Sequence, residues 1–374
     1  MDDSNLSVKI LHLIDSMALG GAQTLLKSIF EFRNSKNEYL FSLRKTDDIL
    51  HINHPHIFIH KSKSYISPAP IFKILNLIKK EKIQILHCSL LRSQFFGYII
   101  KLLRPKVKLI FHEHGRIYGT EYPNSIRGTI DNFLYRTFIK LSSNKVDCVI
   151  AVSQGCGKRL EECSPKLNSK IKVLYNFANI AQIDIDFNDV NKFRKELFND
   201  ENVFIIGFAG RLVERKGWKE FVNAGISLNK KYPDLRFVIA GDGVDKEKLF
   251  KMIQNSKTFK FLGHFKNMPL FYKSLDCFVI PSHWEPFGLV FLEALSTKMP
   301  IVCSDCDSLN ELAVNKDNCL TFKNMDANDL EKKIELLYLN KEIQEKLKNI
   351  PAEFLGKNNI KDYSDYLDHL YKFI

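Results

Sequence analysis

IPSHWEPFGLVFLEALSTKMP, residues 280–300, sets two acids, Glu285 and Glu293, eight residues apart across a change from strand to helix. Cys277 to Ile280 (CFVI) is a short apolar run of the kind that fills a parallel strand, and from Phe287 onward the composition is helical. Pro286 fits the first turn of that helix, which leaves Glu285 in the preceding loop. Glu293 then lies on the helix about two turns along, ~12 Å further at 1.5 Å per residue. The N–H groups from Phe287 to Val290 would have no partner inside such a helix, and they favour an anion between the two acids. An ordinary helix with a staple acid and a solvated acid is the commoner explanation of such a pair alone, so the neighbouring stretches have to decide.

With 374 residues, 45% hydrophobic and 26% charged, the chain can bury two cores. The opening MDDSNLSVKILHLIDSM is acidic and carries only a short apolar run, so neither a signal peptide nor a membrane span is expected, and the expected location is cytoplasmic. Eight scattered cysteines suit reduced core thiols. Cys303 and Cys306 form a CxxC without a second pair or a histidine cluster, which speaks against zinc or redox chemistry. The net charge of +12 is uneven: residues 1–180 carry +13 and residues 181–374 carry −1. An anionic partner of the first half would account for this, as would simple solubility.

Short apolar strands alternate with helical stretches in both halves, which predicts an α/β protein with two doubly wound domains. In the first half the strands fall at 8–14, 39–43, 57–60, 85–88, 109–112, 146–152 and 171–175. Residues 177–201, rich in Asn and Asp, read as a linker with one short helix near Val190 to Leu197. The alternation restarts at Phe204, with a helix expected at Leu309 to Ala313 among others. The expected boundaries are 1–178, 179–355 and a C-terminal helix over 356–374 that packs back on the first domain.

Loops that end strands carry the candidate chemistry. SMALGGAQ, residues 16–23, opens a helix with Gly20 and Gly21, where the backbone could approach a ligand closely. It lacks the third glycine and the acidic ribose ligand of a dinucleotide fingerprint. GFAGRLVERKGW, residues 207–218, puts Arg211 and Lys216 at the carboxyl edge of a strand, where both could neutralise a diphosphate. A solvated loop explains Arg215 as well as it explains these two. Gly241 and Gly243 end the next strand and let a second loop approach the same crevice.

GRLVERKGW, VIAGDG, FLGH and HWEPFGLVFLEAL, in this order and spacing, closely resemble the family 4 glycosyltransferases. FHEHG at 111–115, AVS at 151–153 and VLYNF at 173–177 extend the resemblance over most of the chain. It implies the GT-B fold, two Rossmann-like domains facing across a cleft. It also implies transfer from a nucleotide-sugar donor with retention of anomeric configuration and without a metal or other cofactor. By the same resemblance Glu285 accepts hydrogen bonds from donor-sugar hydroxyls, helped by N–H groups of Phe287, Gly288 and Leu289, and Glu293 holds the ribose. Arg211 and Lys216 neutralise the diphosphate, Gly20 and Gly21 close over the phosphates or the acceptor, and the base lies near Gly241 to Gly243 and the turn at Gly263 to Lys266. His114 corresponds to a histidine set against the donor sugar, and period two puts His112 on its side.

The expected reaction moves a hexose-type unit from a UDP- or GDP-sugar to a surface-glycan acceptor: lipopolysaccharide, capsule or a polyprenyl-linked oligosaccharide. Residues 118–127 (YGTEYPNSIR) are the expected acceptor loop. QFFGYIIKLLRPKVK, residues 94–108, reads either as a buried helix with a basic edge or as an anchor to an anionic membrane surface, peripheral at the inner leaflet of the plasma membrane. Competing readings are an epimerase of nucleotide sugars, a nucleotide-sugar-binding protein without catalysis, and a nucleic-acid binder; nucleic acid is not the expected partner.

Overall fold

Strands made of unbroken apolar runs must be covered on both faces, and parallel pairing with crossover helices achieves this. The computed structural model describes all residues except 1–7, 19, 47–49, 62–66, 116–125, 179–184, 201, 255, 315 and 350–358. It divides into two units, residues 1–177 with 358–374, and residues 178–357.

The first unit contains β1 (Ile10–Ile14), α1 (Gly21–Arg33), β2 (Glu38–Ser42), β3 (Ile57–Ile59), α2 (Ala69–Glu81) and β4 (Ile85–Ser89). α3 (Leu91–Leu103), β5 (Lys108–Glu113), α4 (Ile126–Ser142), β6 (Cys148–Ala151), α5 (Gln154–Cys163) and β7 (Ile171–Val173) follow. Its sheet is parallel, in the order β3-β2-β1-β4-β5-β6-β7. Alternate strand residues sort to the two faces. Leu11, Leu86, Leu109 and Val149 pack under α2 to α5, whereas Ile10, Ile85, Ile110 and Ile150 pack under α1 and the C-terminal helix.

The second unit contains α6 (Phe187–Phe198), β8 (Phe204–Ala209), α7 (Trp218–Lys231), β9 (Leu235–Ala240), α8 (Lys246–Ile253), β10 (Phe259–Gly263) and α9 (Met268–Lys273). It continues with β11 (Cys277–Ile280), α10 (Leu289–Ser296), β12 (Ile301–Ser304), β13 (Leu320–Phe322), α11 (Ala327–Leu339) and α12 (Lys341–Lys348). Its parallel order is β10-β9-β8-β11-β12-β13. Both sheets are doubly wound, each reversing direction between its first and fourth strands. In such sheets ligands bind at the carboxyl ends of those two strands.

Two local expectations change. The linker helix is a part of the second unit: Arg194 of α6 donates to Ser274 O and Val203 O and pairs with Asp276. Residues 309–312 form turns and no helix continues to 313, because the Asn318 side chain accepts from Val314 N and donates to Leu312 O, taking groups a continuing helix would use. The C-terminal helix, α13 (Ile360–Phe373), lies within the first unit, where Arg33 of α1 donates to Ser364 and pairs with Asp368.

Candidate functional site

The strand order decides which loops meet. β8 and β11 are neighbours at the reversal point of the second sheet, so the loop after β8 lies beside the loop after β11. Lys216, at the end of a short 3-10 turn (Glu214–Lys216), donates its ammonium to Glu285, which also accepts from Ser282 Oγ at 2.7 Å. Glu285 is buried, with a side chain only 6% exposed. Burial pushes its pKa up, but the Lys216 charge, the bond to it and the Ser282 hydroxyl outweigh burial and hold it below the ordinary carboxyl value. Burial is also the largest influence on Lys216, whose pKa falls below the usual lysine value despite Glu285, with Arg215 and Arg211 acting in the same direction.

The two loops are fastened by backbone contacts. His283 N donates to Arg215 O at 2.8 Å, and Asn324 Nδ2 donates to His283 O at 2.7 Å. Arg215 lies over the Trp284 ring, 4.4 Å from its centroid, and the His283 ring meets Glu220 Oε1 at 3.1 Å. Gly217 adopts φ +67, and a Cβ there would fall 1.8 Å from Pro281 O, so a glycine lets the Lys216 loop lie directly on the Glu285 loop.

Helix α10 starts later than expected. Gly288, at φ +103, is its N-cap, Leu289 its first residue, and Pro286 and Phe287 remain in the loop. The N–H groups left outside the helical ladder are therefore those around Leu289 and Val290, because Phe291 N already bonds to Gly288 O. Glu293, two turns from Glu285 in sequence, accepts from Tyr272 Oη at 2.9 Å. Burial raises its pKa, and the Tyr272 bond only partly offsets this.

Gly241 and Gly243 zip the loop after β9 against the loop after β8: Gly210 N donates to Ala240 O, Leu212 N to Asp242 O and Asp245 N to Leu212 O. That places exposed Arg211 at the rim of the same strand edge as Lys216. Arg211, Lys216, Glu285, Gly241 and Gly243 thus share the carboxyl edge of one sheet, whereas Glu293 lies further along α10.

Gly20, Gly21 and His114 belong to the first unit. Gly20 is the N-cap of α1 in an extended conformation without a side-chain cap, and Gly21 is the exposed first residue of that helix. His114 follows β5 with its ring centroid 4.0 Å from that of His112, on the same side, as period two requires. Burial pushes its pKa down to about 4. Glu113 points the other way and is satisfied, accepting from Tyr135 Oη at 2.6 Å and Gly115 N at 2.9 Å. The expected acceptor loop, 118–127, lies for the most part outside the described residues. Among the described residues no group of three or more His, Cys, Asp or Glu side chains is placed to hold a metal ion.

Ser282, Tyr272, His283 and Trp284 were not singled out by sequence reasoning. Ser282, three residues before Glu285, offered a local signal, but Tyr272 meets Glu293 only through the packing of α9 against α10.

Two family models match in succession: Glycosyltransferase Family 4 over residues 33–182 and Glycosyl transferases group 1 over residues 189–353. An uncharacterized glycosyltransferase of Methanocaldococcus jannaschii is 28% identical over 83% of this chain and 80% of its own length. The Escherichia coli UDP-Gal:alpha-D-GlcNAc-diphosphoundecaprenol alpha-1,3-galactosyltransferase is 27% identical over 69% of this chain and 65% of its own. In fold, the chain superposes on Anabaena HepE, solved in complex with UDP-glucose, with a TM-score of 0.82 and 18% identity over 98% of this chain and 100% of the other. Two doubly wound domains and two consecutive family matches that together span most of the sequence lead to one conclusion: the chain belongs to the group 1, family 4 glycosyltransferases and is a glycosyltransferase of the GT-B fold.

Proposed function

We propose that the enzyme transfers a hexose-type unit from a UDP- or GDP-sugar, with retention and without a metal, to a surface-glycan acceptor of the lipopolysaccharide, capsule or polyprenyl-linked kind. The observation that carries this reading is the buried Lys216–Glu285 pair at the reversal point of the second sheet. In the resting enzyme each charge neutralises the other. On donor binding Lys216 and Arg211 turn to the diphosphate, Glu285 to sugar hydroxyls and Glu293 to the ribose, while the start of α10 adds its N–H groups. His114 contributes a neutral ring beside the donor sugar. The bond from the anomeric carbon to the phosphate oxygen breaks with its electron pair on that oxygen. The acceptor oxygen bonds to the same face, and its proton passes to the leaving phosphate. The name of the Escherichia coli relative supports a UDP-sugar and a lipid-diphosphate acceptor.

A thermal-shift screen against UDP-, GDP- and ADP-sugars tests the donor half. A ligand at 100 times its Kd adds about 2.7 kcal/mol to stability. The expected result is a clear rise in Tm with one UDP- or GDP-sugar, followed by transfer with retained configuration that chelators leave unchanged. No shift with any nucleotide sugar would overturn the reading.

The same proposal seats the enzyme on an anionic membrane, by a surface that differs from the one the sequence suggested. Within residues 94–108, Gln94 is buried and donates to His112 O, and Lys101 is buried, donating to Val107 O and pairing with Asp147. The outward apolar residues include Phe95, Leu102 and Leu103 of α3 together with Ile130, Phe133, Leu134 and Leu141 of α4, with Phe133 69% exposed. Phe138 joins the two helices, with ring centroids 5.9 Å from Phe95 and 6.0 Å from Tyr98. Because α3 and α4 both follow parallel strands, their C-terminal ends share one sheet edge, where Arg104, Lys106, Lys140 and Lys145 are exposed. An apolar stripe with a basic end suits an anionic bilayer interface. No helix among the described residues is long and apolar enough to cross a membrane. Flotation with phosphatidylglycerol vesicles, and not with phosphatidylcholine vesicles, is expected, and Phe133→Asp with Leu134→Asp should abolish it; equal flotation of wild type and variant would refute this surface.

A further inference from the structure

The strand register of the first unit builds a row of histidines. His12 of β1 and His87 of β4 are register partners, and His112 of β5 shares their face of the sheet under α1 and α13. Ring centroids are 4.9 Å apart from His12 to His87, 5.2 Å from His87 to His112 and 4.0 Å from His112 to His114. His87 is bonded on both nitrogens: Nδ1 lies 2.6 Å from Tyr371 Oη of α13, and Nε2 lies 3.1 Å from His112 Nδ1. Burial pushes the pKa of both His87 and His112 well below 6.5, with the neighbouring histidines acting in the same direction, so both rings are neutral near pH 7.

Two neutral rings and a phenol can be bonded in either of two directions, and here one is favoured. The Tyr371 hydroxyl is buried, and His87 Nδ1 is its one hydrogen-bond neighbour among the described residues. Either direction leaves one buried proton at an end of the chain: on the phenol it would meet no acceptor, whereas at the other end it sits on His112, whose ring lines a small cavity. Tyr371 therefore donates to His87 Nδ1. The His87 proton is then on Nε2 and is donated to His112 Nδ1, which leaves the His112 proton on Nε2. That nitrogen is buried, has no partner among the described residues, and belongs to a ring that lines a small cavity with His12, Ser89 and His114.

We infer that Tyr371 is a positioning residue within the first unit: through His87 it fixes His112 in one orientation and one tautomer, and so sets the ring on which His114 rests. The inference rests on the transfer reading only for the role of His114; the direction of the bonds does not depend on that reading. His12, facing Glu38 at 3.3 Å, closes the other end of the row, and Arg33 ties Glu38 to α13 through Asp368. The C-terminal helix thereby determines hydrogen bonding at a histidine 259 residues earlier in the chain.

The test uses the full-length protein with 15N-labelled histidine. Long-range proton–nitrogen correlation spectra, assigned with His112→Gln, should show His112 protonated on Nε2 and bare on Nδ1. Tyr371→Phe removes one hydroxyl and should let His87 and His112 populate both tautomers, with turnover reduced about threefold to tenfold at unchanged donor KM and an intact folded spectrum. In a His114→Ala background the same change should cost nothing further. Protonation of His112 on Nδ1 in the wild type, unchanged turnover in Tyr371→Phe, or an undiminished loss in the His114→Ala background would each overturn the inference. If instead His114→Ala keeps full turnover, the reading of His114 fails, whereas the spectra of the resting enzyme still decide the direction of the bonds.

Discussion

Glu285→Gln is expected to lower turnover about 10²- to 10³-fold while the protein stays folded, the loss typical of removing one preorganised electrostatic contact. The side chain is nearly isosteric, so the Ser282 bond can persist and only the charge is lost. Without that charge Lys216 has no counterion in a buried place, and burial already holds its pKa below the usual value. A fraction of the lysine would then be neutral, weakening its attraction for the diphosphate. Lys216→Ala should cost a similar factor in rate but also stability, since it strands the Glu285 carboxylate, and breaking a buried pair from one side costs about 3–5 kcal/mol. Glu293→Ala removes the acceptor of the Tyr272 hydroxyl and should raise donor KM more than it lowers kcat. Initial rates with the donor identified by thermal shift, beside urea denaturation of each variant, measure both quantities. Turnover of Glu285→Gln within threefold of wild type would remove this pair from the chemistry.

The second large effect is acid lability. His87, His112 and His114 are neutral when folded, their pKa values depressed below 6.5, in the last case to about 4. Unfolding returns each to its ordinary value. Below pH 6.5 the unfolded chain binds protons that the folded one does not, so stability falls with falling pH, for His114 until about pH 4. Each histidine contributes up to about 1.4 kcal/mol per pH unit, and three together about 4. His54 and His60 are depressed as well and add in the same direction. Against a total of about 5–15 kcal/mol, the protein should lose its folded state roughly one to three units below pH 6.5. Urea unfolding at pH 7, 6 and 5 should show a steep decline, with a slope smaller by about one proton in His112→Gln. A flat profile over this range would contradict neutral burial of the row.

Local patterns carried far in this sequence. CFVI at 277–280 and CVIA at 148–151 are buried throughout as β11 and β6, because a parallel strand covered on both faces has to be apolar at every position. Turn chemistry was less legible. Pro286 suits a first helical turn, yet Gly288 starts α10, since only a residue without a Cβ fits φ +103 with Leu309 Cδ2 2.7 Å from where that atom would be. Lys101, a cation within the stretch 94–108 that reads as a basic-edged helix or a membrane anchor, is a buried partner of Asp147, a contact between α3 and the segment before β6 that spacing within 94–108 does not encode.

By itself the sequence determined the alternation of strands and helices, the two-domain plan and the loops that carry Gly20, His114, Arg211, Lys216, Glu285 and Glu293, because each depends on apolar periodicity or on residues close in the chain. Only the tertiary structure decided who meets whom. Lys216 reaches Glu285 across 69 positions because β8 lies beside β11, and Tyr371 reaches His87 across 284 because α13 lies over the row that the parallel register lines up. Strand order and register arise from packing whole layers, and packing is where charges and protons acquire their partners.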